Sequence, residues 1–133
     1  MSFCASRFIS NLDGDLIELI KGNAEKLPFD DNTLQGISCV YLFHELPRTI
    51  RQIVLKEFFR VLEPGGTLVL ADSIQIDDSP GFIQIMENFH KSFHEPFYSD
   101  YIKDDINSKI EKIGFNKIIS NSFFMTKVWS AIK

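Results

Sequence analysis

The chain has 133 residues, 44% of them hydrophobic and 13 of them Phe, which is enough apolar surface for one folded domain and excludes an intrinsically disordered chain. Fourteen Lys and Arg against eighteen Asp and Glu leave a net charge of −4, arguing against a general nucleic-acid or anionic-membrane surface. No apolar run approaches the roughly 20 residues of a membrane span, and polar residues interrupt the Met1–Asn11 stretch before it can serve as a leader core. Cys4 and Cys39 fit no metal-ligand spacing. The expectation is a single domain over 1–133, cytoplasmic and reduced, with no metal, no nucleic-acid partner and no transmembrane segment.

Along the chain, Ala5 to Leu12 reads as a short helix closed by the turn Asp13-Gly14. Asp15 to Lys21 reads as a strand built on Leu16, Ile17, Leu19 and Ile20. Leu27-Pro28-Phe29-Asp30-Asp31-Asn32 is a loop, because Pro and a run of Asx residues break regular structure. Gly36 to Phe43 has the nearly unbroken apolar run of a strand buried on both faces, and it places Cys39 as a buried thiol. Pro47 opens a helix to Leu62, with Ile50, Ile53, Val54, Phe58 and Val61 inward and Arg51, Lys56 and Arg60 in water. Glu63-Pro64-Gly65-Gly66 is a tight turn that suits positive φ at Gly65.

Thr67 to Ala71 is the third strand, and Pro80 to Phe93 a helix with Phe82, Ile85, Met86 and Phe89 on one face. Ile102, Ile106, Ile110 and Ile113 mark a second helix over Lys103 to Ile113, ended by Gly114. Lys117 to Phe124 and Lys127 to Ile132 read as an antiparallel hairpin. Strands alternating with helices argue for an α/β domain around a parallel sheet, with one antiparallel member at the end.

Three blocks carry a more specific signal: GNAEKLPFDDNT from Gly22, GISCVYLFHELP from Gly36, and RVLEPGGTLVLAD from Arg60. In this order they resemble the later half of a class I S-adenosylmethionine (SAM) methyltransferase domain, of the type 11 branch related to quinone biosynthesis. That resemblance implies a three-layer partial Rossmann-like fold with about five mostly parallel strands and a C-terminal antiparallel pair. It also implies methyl transfer from SAM to a small-molecule substrate.

By the same resemblance, Asn23 and Ala24 stand where the family contacts adenine, and Tyr41, Leu42 and Phe43 lie along the cofactor. His44 stands where a side chain either acts as a general base on a substrate hydroxyl or serves as a structural hydrogen-bonder. Asp72 lies on the substrate side, and FHEPFYSDY (Phe93 to Tyr101) resembles a substrate-lid segment, making His94, Tyr98 and Tyr101 candidate pocket residues. The departure from the family is the glycine-rich GxGxG turn, which this sequence lacks, together with the acidic residue that holds the cofactor ribose. Weak or lost SAM binding by the isolated chain is therefore expected. The apolar strands left without their family neighbours make a homodimer the expected assembly. Two other readings stay open: a catalytically inactive dimerising or partner-binding remnant, and a small-ligand binder.

Overall fold

The computed structural model describes residues 20–133. Four strands form one mixed sheet: β1 (Leu34–Val40), β2 (Leu62–Ser73), β3 (Asn116–Phe123) and β4 (Thr126–Ile132), in the order β1-β2-β4-β3. The helices are α1 (Arg48–Val61), α2 (Ile83–Phe93), α3 (Tyr98–Tyr101) and α4 (Ile106–Ile113). β1 and β2 are adjacent and parallel, with Ser38 opposite Val69, as the alternation of elements predicts. β4 pairs antiparallel with both β2 and β3.

The α/β class and the terminal hairpin are therefore as read, but the strand count and direction differ. Four strands rather than about five are described, and only one of their three pairings is parallel. The expected helix at 5–12, and the expected strand at 15–21 up to residue 19, lie outside the described residues. The antiparallel share is large because β4 inserts between β2 and β3, and a hairpin needs no crossover to do so. At its far end Gly65 N donates to Lys133 O at 2.9 Å, and Lys133 N donates to Gly66 O at 3.0 Å, which ties the C-terminus to the start of β2.

Local chemistry sets the element ends. β1 stops at Val40 rather than Phe43, because Tyr41 turns the backbone into the left-handed region at φ 50°. α4 begins three residues later than Lys103, because Asp105 caps it by accepting from Ser108 N at 2.9 Å. Gly114 ends it at φ 121°, and a Cβ there would lie 3.1 Å from the Phe59 ring.

The inward face of α1 also differs from the expectation. Arg51, Val54, Leu55, Phe58 and Val61 are buried, whereas Ile53, expected in the core, is 42% exposed. Arg51, expected in water, is fully buried.

Leu68 and Leu70 on β2 and Trp129 and Ala131 on β4 alternate onto one sheet face and join the inward residues of α1 and α4 in one core. The opposite face carries Thr67, Val69 and Ala71 beside Val128, Ser130 and Ile132, all only half-buried among the described residues. On the flanking strands of that face Val40, Ile119 and Phe123 are 58%, 61% and 64% exposed. Among the described residues, elements cover β1 on one face. The described residues supply two of the three expected layers. Among them no helix is long and apolar enough to cross a membrane.

Candidate active site

The carboxyl ends of the two parallel strands meet at Tyr41–Glu45 and Asp72–Ser73. Such ends are where open α/β sheets hold ligands. Asp72 is fully buried, and a carboxylate in a core is tolerated only when donors surround it. It has them. Oδ2 accepts from Phe43 N at 2.7 Å, with His44 N further off at 3.4 Å. Oδ1 accepts from Ser73 N at 2.7 Å and meets the His44 ring Nδ1, also at 2.7 Å. Because ionised Asp72 only accepts, Nδ1 carries the proton, and Nε2 is left as the second ring nitrogen of a fixed imidazole. The Phe43–Glu45 segment is one turn of 3-10 helix, and Asp72 pins its start.

His44 titrates above its ordinary value. Burial pulls the imidazole down, but the Asp72 hydrogen bond, the Asp72 charge and the nearby Glu95 and Glu45 outweigh it. Three rings stand edge-on to it: Tyr41, Tyr98 and Tyr101, with centroids 6.1 to 6.3 Å away. Tyr98 OH and Ser73 Oγ are 2.7 Å apart, and Tyr101 OH donates to Ser73 O at 2.6 Å. Burial holds both phenols above their ordinary range, so they are neutral donors at physiological pH.

Beside this turn lies a cleft of about 660 Å³, within the size range of small-molecule sites. Its walls include Ala24, Leu27, Ile37, Cys39, Tyr41 and Leu42, with Glu45 at the His44 side. One wall is anchored from α1: Glu57 accepts from Leu27 N at 2.7 Å, and Arg60 clamps Glu57 and Asp31, each at 2.6 Å. The Arg60 guanidinium holds the Glu57 carboxyl below its usual range. Cys39 is the one described cysteine; burial first, and the Asp72 charge second, push its thiol up to about 12, so it is an inert apolar wall.

Ala24, Tyr41 and Leu42 come together on this cleft. Asn23 does not line it; its Oδ1 accepts from Glu25 N at 3.0 Å and shapes the preceding turn. The Phe43 side chain is fully buried in the core, so only its backbone takes part in the site. Asp72, Tyr98 and Tyr101 cluster around His44, whereas His94 stands exposed between α2 and α3 at φ 54°. His44, Glu45 and Glu95 also present one ligand atom each within 4.8 Å of one another, the one trio of that kind among the described residues.

The residue that sequence reasoning missed is Arg51. Its signal was present: Arg51, Val54, Leu55 and Phe58 follow i, i+3, i+4, i+7, the spacing of a single helix face.

Residues 4–70 match the family model described as Methyltransferase domain. The chain belongs to the class I SAM-dependent methyltransferases. It is 34% identical over 83 residues to a demethylmenaquinone methyltransferase of Listeria monocytogenes, covering 62% of this chain and 34% of that protein. The chain thus spans about a third of the length of the curated relatives it matches. In solved structures the same fold occurs in a SAM-dependent methyltransferase from Thermotoga maritima (19% identity, TM-score 0.65, 88% of this chain and 64% of that one). It also occurs in human N-acetylserotonin methyltransferase in complex with SAM (13% identity, TM-score 0.62, 86% and 33%).

Proposed function

We propose that this chain forms the adenine side and the acceptor side of a SAM-dependent methyltransferase site for a small molecule. One observation carries the reading: the apolar cleft and the Asp72-held imidazole adjoin at the carboxyl ends of β1 and β2, sharing Tyr41 and Glu45 as their border. The apolar walls at Ala24, Leu27 and Leu42 suit a flat base ring, and bound SAM would supply an electrophilic methyl group. His44 in its neutral form would take the acceptor's proton, and Asp72 would hold the ring and stabilise the imidazolium that results. The rest of the rate comes from positioning the acceptor in line with the methyl group. The residues present include no GxGxG turn for the methionine end, so weak binding by the isolated chain is expected.

Amide chemical-shift mapping with millimolar SAM tests this reading. Saturable shifts centred on Ala24, Tyr41 and Leu42 are expected. Shifts elsewhere, or none, would refute it.

A second feature favours self-association. The β1 edge away from β2 is unpaired among the described residues, and the half-buried sheet face beside it carries Val40, Ile119 and Phe123. Each 100 Å² of apolar surface withdrawn from water is worth about 2.5 kcal/mol, and a twofold contact withdraws it from both copies. A homodimer at tens of micromolar is expected in sedimentation equilibrium. A concentration-independent monomer would contradict it. Association of this kind would serve a dimerising, inactive chain equally well, so shift mapping, not sedimentation, separates the two functions.

A further inference from the structure

Arg51 is the only cation among the described residues whose side chain is fully buried, and it contacts two separate segments at once. On one side its Nε donates to the carbonyl of Phe43 at 3.0 Å, inside the turn that carries His44. On the other, Nη1 donates to Asp100 at 2.9 Å and to Asp104 at 2.7 Å, and Nη2 reaches the Phe97 carbonyl at 3.3 Å. Its guanidinium also stacks over the Tyr101 ring, 5.5 Å from the centroid. The 97–104 segment is the one that supplies Tyr98 and Tyr101 as walls around His44.

A buried ion pair is weak evidence for stability alone, because desolvation offsets most of the attraction. Its geometry carries more information. Here one planar fork ties the imidazole-bearing turn to the tyrosine wall from the α1 side, as Asp72 and Ser73 tie them from the β2 side. No other described hydrogen bond from α1 reaches both.

We infer that Arg51 is a positioning residue of the site beside Asp72: it sets the His44-bearing turn against the Tyr98–Tyr101 wall, through the Phe43 carbonyl on one side and the Asp100–Asp104 carboxylates on the other. This rests on the reading of His44 as the acceptor-facing group. Lysine cannot replace it, since one ammonium cannot span a carbonyl and two carboxylates in a fixed fork. Arg48 is the natural control. It binds Asp100 at 2.8 Å from an exposed position, and no bond from its side chain to the Phe43 turn is present.

The test is nitrogen-15 NMR of the histidine rings in the free protein, with the His44 signals assigned by their loss in His44→Gln. At a pH above the raised His44 titration, wild type is expected to show the single Nδ1-protonated tautomer. Arg51→Lys, with its fold verified by Trp129 emission, is expected to lose that signature to a mixture of tautomers, while Arg48→Ala retains it. An unchanged His44 spectrum in Arg51→Lys, or an equal change in Arg48→Ala, would overturn the inference. Should Arg51→Lys fail to fold, Asp100→Asn loosens the same fork at a 43% exposed side chain; it must shift the His44 ring signals, and an unmoved spectrum overturns the inference equally. No SAM or acceptor enters this measurement, so a failure of cofactor binding leaves its outcome untouched.

Discussion

Replacing Asp72 with Ala is expected to cost about 4 kcal/mol of folding stability, the largest effect of any single change in the site. The carboxylate accepts from Phe43 N, Ser73 N and the His44 ring, all at 2.7 Å, and it is fully buried. Removing it strands two backbone donors and an imidazole N–H without water to replace it. Asp72→Asn keeps the shape and one acceptor oxygen and is expected to cost about half as much, while His44→Gln costs about 1 kcal/mol.

The pH dependence has a definite sign. His44 titrates higher in the folded chain than its ordinary 6.5. Its charged pairing with Asp72 therefore adds stability fully below pH 6.5, and that stability is lost as pH rises through the raised folded value. In His44→Gln this loss should vanish. Urea melts at pH 6 and pH 8.5 measure all of this. A cost below 1 kcal/mol for Asp72→Ala would show that the carboxylate is not the anchor of the turn.

The same anchor explains what the sequence displays and what it hides. Adjacent parallel pairing of β1 and β2 follows from two apolar runs joined by a helix of 14 residues, and local pattern is enough to see it. The hairpin at β3 and β4, and the cap at Gly114, are local too. The end of β1 is not. It depends on Asp72, 29 residues away from Phe43, drawing the chain into a turn that the apolar run of Tyr41-Leu42-Phe43 would not suggest.

The site shows the same division. Ala24, Tyr41 and Leu42 reach the cleft because two of them directly follow β1 and the loop before it carries the third. Asn23 stands where the family contacts adenine, but its amide oxygen accepts from Glu25 N within its own turn. Arg51 falls on the inward spacing of α1, and its partners Asp100 and Asp104 lie 49 and 53 residues on. The helix-face spacing marks the position as inward, but no local pattern names the carboxylates, so far along the chain, that pair with its charge.

The second large effect concerns the cofactor. The cleft offers apolar walls for a base ring, and this sequence contains no GxGxG turn to grip the ribose and methionine. If those walls are all that the isolated chain contributes, the rest of SAM adds nothing to its binding. Calorimetric titration of the chain with SAM and, separately, with adenosine measures this directly. Equal and weak affinities are expected, with dissociation constants near or above about 1 mM, or −4 kcal/mol. A SAM dissociation constant of about 1 μM, near −8 kcal/mol and far tighter than that of adenosine, would contradict it.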